Sequence, residues 1–276
     1  MKKIKREEIQ PILLKILKQL KKYCNKNDIK FFLIGGTLLG AIRHKGFIPW
    51  DDDIDVGMKR DEYDKIIQLA KKNPYIDKNK RYKILLPLDK NHIYPFIKII
   101  DTHTIAYEKY LKKEFATGLW LDIFPYDYGS NTKEESIKLN KRQKRYKMFL
   151  QIGISGELSF AQKIKKMIAY PIYRILTRGN YRYWVKKLLQ LPSTKPTKYM
   201  GNIVWMVAER DMCPKEWYDE YTEVTFEKEK YNTIKHYDDW LTQFYGDYMT
   251  LPKEEDRIIH DADCYYIDKE DINEKN

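Results

Sequence analysis

Apolar residues at Ile9, Ile12, Leu13, Ile16, Leu17 and Leu20 recur every three or four positions with lysines between them, so the chain is expected to open with an amphipathic helix. The period then changes. Lys30–Ile34 is a short apolar run halted by Gly35 and Gly36, with Thr37 placed to cap a helix ending at Arg43, which reads as strand, tight turn, helix. After the loop HKGFIPW, Ile54–Met58 reads as a second strand. A helix follows it from Arg60 or Asp61, carrying Tyr63, Ile66, Ile67 and Ala70. Tyr82–Leu86, Pro95–Ile100 and Gly118–Phe124 read as three more strands, and this mixture up to Tyr128 predicts an α/β or α+β catalytic core; we take α+β. From Lys133 to Leu191 only helical periodicity remains, broken at Pro171 and Gly179. Trp240, Leu241, Phe244 and Tyr245 then sit at helical spacing ahead of Gly246. The expected division is a core over 1–130, a helical region over 131–200 and a C-terminal segment over 201–276 that completes the site.

With 276 residues, 43% of them hydrophobic, the chain can bury a full core, which argues against disorder. Its net charge of +12 is unevenly placed. Residues 131–200 hold seventeen Lys and Arg against three Glu, an excess of 14, so the rest of the chain is slightly acidic and the middle is a basic patch suited to polyanions. Cys24, Cys213 and Cys264 show no C-x-x-C spacing, which points away from a disulfide framework or a zinc site and fits a reducing cytoplasm. Lys15 and Lys18 interrupt the first apolar stretch, unlike a signal-peptide core. MIAYPIYRIL falls short of the ~20 residues a membrane span needs and contains Pro171 and Arg174.

The stretch LIGGTLLGAIRHKGFIPWDDDIDV carries the chemistry. Asp51, Asp53 and Asp55 alternate, so in an extended segment their side chains share one face and can converge on Mg²⁺ or Mn²⁺. Gly35 and Gly36 let the backbone approach a phosphate, which the free N–H groups of the next helix start can bind. Together these suit a nucleotide diphosphate ester. Asp51, Asp53, Asp55 and Glu62 also fall at EF-hand positions 1, 3, 5 and 12, but Val56 stands where that loop needs glycine. Asp122 is a lone acid in the apolar strand Leu121-Asp122-Ile123, and Asp101 after Ile99-Ile100 is its reserve; Asp127 reads as a loop residue. Arg43, His44 and Lys45 follow the short helix, where cations can grip phosphate oxygens. Lys98 between Ile97 and Ile99 is either a phosphate contact or a sheet-edge lysine.

GGTLLGAIRHKGFIPWDDDIDVGM resembles the signature block of the LicD family, part of the nucleotidyltransferase superfamily, and YPFIKIID, GLWLDIFPYD and LTQFYGDYMTLPKEEDRIIH resemble it further. The resemblance covers about residues 31–260. It implies a nucleotidyltransferase-like mixed β-sheet core with flanking helices, to which the basic helices are an extension. It implies Asp53 and Asp55 as metal ligands, with Asp51 as a further ligand or partner and Asp122 as the third carboxylate. Gly35, Gly36, Thr37, Arg257 and His260 join the substrate-binding set. The implied activity is transfer of phosphocholine, or a related phospho-group, from a CDP-linked donor to a glycan or lipid-linked glycan precursor such as lipopolysaccharide or teichoic acid. Trp50 and Trp120, beside the acids, are candidates for a trimethylammonium pocket through cation–π attraction. The basic middle would hold the protein peripherally against an anionic membrane face or against an anionic, lipid-linked acceptor. Two other readings share these residues: nucleotidyl transfer from an NTP to a small acceptor, and nucleic-acid binding by the basic middle, for which no reading motif is present.

Overall fold

The computed structural model describes residues 1–156, 164, 167, 170–171, 173–175, 177–206, 208–257 and 262–267. Helix α1, Arg6–Lys26, buries the expected stripe, from Ile12 and Leu13 to Leu20, and adds Cys24. Helix α2 is Gly35–Arg43 and α3 is Arg60–Lys72, whose Tyr63, Ile66 and Ala70 face inward. The central sheet has the order β2 (Phe32–Leu33), β3 (Asp55–Lys59), β7 (Trp120–Ser130), β5 (Ile97–Asp101), β4 (Tyr82–Leu85), and short strands β8 (Tyr199–Gly201) and β9 (Cys213–Pro214) extend it from β7. β3 and β7 run parallel and the other neighbours antiparallel, so the architecture is a mixed α+β sheet with flanking helices.

Alternation along these strands sorts the sheet into two faces. Val56, Met58, Ile84, Ile97, Ile99, Leu121 and Ile123 are almost fully buried on one face, where α1 and α3 pack. Asp55, Asp122, Lys98 and Leu85 point to the other. A separate three-stranded sheet joins β1 (Lys2–Lys3), β12 (Ala262–Tyr266) and β6 (Thr104–Glu108), bringing the two ends of the described chain side by side.

The expected helical middle contains α4, Lys133–Ile154, and α5, Arg182–Leu189. They enclose a second apolar cluster that includes Leu139, Leu150, Trp184, Val185 and Leu188, with Phe149 stacked on Trp184 at 4.6 Å. Lys141, Arg142, Lys144 and Arg145 remain exposed on α4. Short α6, Ala208–Asp211, and α7, Tyr237–Tyr245, follow. Between them the hairpin β10 (Tyr221–Phe226) and β11 (Glu229–Ile234) turns through Glu227 and Lys228, both at positive φ.

Three sequence expectations need correction. β7 does not stop at Phe124 but continues to Ser130, so Asp127 is a buried strand residue and not a loop residue. Its carboxylate is held bidentately by Arg60, at 2.7 and 2.6 Å, which answers the charge and keeps the strand extended through Pro125 and Gly129. Lys98 is not at a sheet edge, because β5 lies between β4 and β7. Thr37 does not cap α2 but sits inside its first turn; Ile34 precedes the helix, and the Thr37 hydroxyl accepts the Asp55 backbone N–H at 2.9 Å.

Candidate active site

Register assembles the centre. Asp55 pairs with Asp122 and Asp122 with Lys98, so the three occupy one row across β3, β7 and β5, on the face away from α1 and α3. Lys98 Nζ is 3.0 Å from Asp122 Oδ1 and donates to Oδ2 at 3.2 Å. Its side chain is 2% exposed, and its ammonium lies 4.1 Å from the Trp120 ring centre and 4.4 Å from that of Tyr94. Such a cage offsets the desolvation of a buried cation. The Tyr94 hydroxyl in turn donates to Glu108 at 2.8 Å.

Burial pushes the Asp122 carboxyl up to about 6, with Lys98 pulling the other way. Burial raises Asp55 well above the ordinary carboxylate range, and repulsion from Asp53, Asp122 and Asp51 adds to it. Asp55 therefore feels the charges of Asp53, Asp122 and Asp51 together. Asp122 Oδ1 is buried and accepts no hydrogen bond despite its nearness to Nζ. As they stand, no three Asp, Glu, His or Cys side chains among the described residues form a metal shell. The donor set is nonetheless all oxygen, and Asp55 is under a repulsion from its neighbours that a divalent cation would relieve. Those properties match a hard cation held by Asp51, Asp53, Asp55 and Asp122.

The glycine turn meets these acids directly. Gly35 has φ of +56°, and a Cβ there would stand 3.0 Å from Asp55 Oδ2; a Cβ on Gly36 would stand 2.7 Å from Asp51 Oδ2. The start of α2 thus lies against two carboxylates, where its dipole favours negative charge. Thr37 fixes the Asp55 backbone to the same turn.

The other candidates divide. Arg43 donates to the carbonyls of Tyr248 and Thr250, at 2.7 and 3.4 Å, and so ties down the C-terminal segment. His44 lies edge-on to Trp50, and burial, then Arg43, lowers its affinity for a proton. Lys45 has φ of +61° and its carbonyl accepts the Glu227 N–H, which pins the HKGFIP loop to the β10–β11 hairpin. The guanidinium of Arg257 covers the Trp50 ring at 4.3 Å, as the Lys98 ammonium covers Trp120, so a cation of the chain itself faces each tryptophan. Asp101 is turned to the core face and gripped by Arg81 at 2.6 to 3.1 Å, away from the acid row. His260 lies outside the described residues.

Two groups escaped the sequence reading. Tyr245 is 40% exposed, yet burial and then the charges of Asp55, Asp51 and Asp53 raise its ionisation beyond the usual phenol range. FYGDY offered only helix periodicity there. Asp211 is fully buried and accepts from Asn202 N, Tyr126 and Trp240 at 2.5, 3.1 and 3.1 Å; burial still lifts its carboxyl to about 7.

Residues 28–151 match the family model described as LicD/FKTN/FKRP, nucleotidyltransferase domain. The lipopolysaccharide cholinephosphotransferase LicD of Haemophilus influenzae is 31% identical over 277 residues, spanning 97% of this chain and 100% of that protein. The uncharacterized protein RT0683 of Rickettsia typhi is 32% identical over 43% of this chain and 40% of its own. Ribitol 5-phosphate transferase FKRP of Homo sapiens shares 38% identity over 52 residues, 17% of this chain and 10% of that protein. End-to-end similarity at that level, with the matched block spanning the whole acid row, shows that the chain belongs to the LicD family.

Proposed function

We propose that the chain is a Mg²⁺-dependent phosphotransferase, with Mn²⁺ able to substitute, built on a nucleotidyltransferase-like core. It moves phosphocholine, or a related phospho-group, from a CDP-linked donor to a sugar of a lipopolysaccharide, teichoic acid or similar cell-surface glycan precursor. The observation that carries this reading is the meeting of Asp51, Asp53, Asp55 and Asp122 with the glycine start of α2. The full-length likeness to a cholinephosphotransferase supports the choice of group.

Asp53, Asp55 and Asp122, with Asp51 beside them, would hold the divalent ion, which when bound neutralises a diphosphate and favours attack at phosphorus. The chain's own residues do the rest. Thr37 and the α2 start fix Asp55 and offer N–H groups to the diphosphate. Lys98 orients Asp122. The sugar hydroxyl forms the new bond to the distal phosphorus, the bond to CMP breaks, and the hydroxyl proton passes to Asp122 or Asp51. In this reading residues 1–130 are the catalytic core, 201–276 complete the site, and the basic 131–200 region rests on an anionic cytoplasmic membrane face or acceptor. No helix among the described residues is long and apolar enough to cross a membrane.

The test is CMP release from CDP-choline, CDP-ethanolamine and CDP-ribitol with Mg²⁺ and a lipid-linked glycan, beside Asp53→Asn. One donor is expected to release CMP, and the variant and EDTA to abolish it. Pyrophosphate from CTP or ATP, with no CMP from any donor, would move the chain to nucleotidyl transfer.

A further inference from the structure

The core face of the sheet is closed by α1 and α3, so substrates can approach the acids only from the other face. On that face the row Asp55, Asp122, Lys98 continues one strand further, to Leu85 of β4. The neighbouring row runs Trp120, Ile100, Lys83. Leu85, Ile100 and Lys83, with Lys90 and Ile105, line a cavity of about 550 Å³. At ~4.8 Å between adjacent strands, Leu85 stands only about 10 Å from Asp122 across the sheet. A smaller cavity of about 210 Å³ shares Ala116 with the first and is lined by Glu108, Lys112 and Lys113. Glu108 accepts from the Tyr94 hydroxyl, whose ring lies 4.4 Å from the Lys98 ammonium, so the smaller cavity reaches the end of the row.

The lining has two chemistries. Leu85, Ile100 and Ile105 give an apolar floor that suits the carbon face of a sugar ring. Lys83 and Lys90 add two ammonium groups. Lys83 Nζ rests 5.9 Å from the Tyr75 ring, and among the described residues neither lysine forms an ion pair. Unpaired cations over an apolar floor favour an anion on an otherwise weakly polar ligand, and phosphate is the anion that lysine holds best as a point charge. The volume falls within the ~300–1,000 Å³ of small-molecule sites.

We propose that this cavity is the acceptor site and that the acceptor is a phosphorylated sugar, its phosphate held by Lys83 and Lys90 and its ring laid over Ile100 and Leu85. The proposal rests on the phosphotransfer reading for the chemical step, while binding itself is separable. The donor nucleotide keeps the α2 side of the row.

Isothermal titration of the full chain with N-acetylglucosamine 1-phosphate, N-acetylglucosamine and CMP separates the possible sources of a phosphate contact. The phosphosugar is expected to bind at least ~tenfold more tightly than the neutral sugar, the difference a charge-assisted contact makes. Lys83→Gln combined with Lys90→Gln should erase that difference, Lys83→Arg alone should keep it, and CMP affinity should be the same in all, which also reports that the variants fold. Equal binding of both sugars by the wild-type chain overturns the proposal, as does a double variant that still prefers the phosphosugar. CMP that displaces the phosphosugar, and weakens in the same variant, assigns the cavity to the donor and overturns it too. Absence of CMP release from every CDP-linked donor would remove the phosphotransfer reading and leave the titration result standing.

Discussion

An ammonium group buried in a β-sheet persists only if its charge is answered nearby, and Lys98 is answered by Asp122 and two aromatic rings. Lys98→Met should lower stability by ~3–5 kcal/mol in urea denaturation, because one partner of a buried pair then stands alone beside other acids. Adding Asp122→Asn to Lys98→Met should restore part of that loss; a double variant less stable than the single would refute the pairing. Trp120 is judged by the same geometry. Its face is taken by Lys98, so Trp120→Leu is expected to lower kcat with the donor KM held, whereas a raised KM at constant kcat would return the ring to the choline pocket. At this scale Asp55 and Asp122 were legible, since alternating acids and a lone acid among apolar neighbours are local patterns. The role of Lys98 was not, because its partner is set by register across strands that lie far apart in sequence.

Among the elements, the start of α2 shows most clearly how packing overrides propensity. Gly→Ala inside a helix normally stabilises by about 1 kcal/mol. At Gly36 the new methyl would meet Asp51 Oδ2 at 2.7 Å and push that carboxylate aside. Gly36→Ala is therefore expected to leave the melting temperature near the wild-type value while CMP release falls at least ~tenfold, as misplaced reacting groups demand. A variant with unchanged turnover would separate Asp51 from the chemistry. The strand and the helix up to Arg43 were readable because a continuous apolar run gave way to glycine and then to a helical period, although Gly35 and Gly36 belong to the helix and not to a separate turn. The second half of β7 was not, since Pro125, Asp127 and Gly129 are turn-forming residues when taken locally. The Arg60 pairing, the β3 register through Pro125 and Tyr126, and the β8 neighbour, all tertiary, hold that segment extended.

Across the whole molecule, pH sensitivity also comes from groups outside the acid row. Asp211 has its carboxyl raised from 3.8 to about 7 by burial, so its protonated form is favoured in the fold. Its stabilising contribution is complete below pH ~4 and is lost as pH rises towards 7, because the unfolded chain sheds its proton first. His92, held neutral by burial with its proton affinity lowered from 6.5 to about 4, acts in the opposite sense, destabilising as pH falls through that range. The difference between wild type and Asp211→Asn isolates the first effect: denaturation midpoints measured from pH 4 to 7.5 should show the wild-type advantage shrinking with rising pH. A difference that stays flat would mean that Asp211 titrates normally.

The C-terminal stretch closes over residues made much earlier: Arg43 is bound to the Tyr248 carbonyl, 205 positions away, Arg257 covers Trp50, and β12 inserts between β1 and β6. During synthesis at ~5–20 residues per second, the glycine and aspartate block emerges roughly 10–40 s before the segments that hold it. Through that interval a ribosome-bound chain displays the acids on an unfinished surface, so a stalled or prematurely released product should retain the signature and lack the assembled centre.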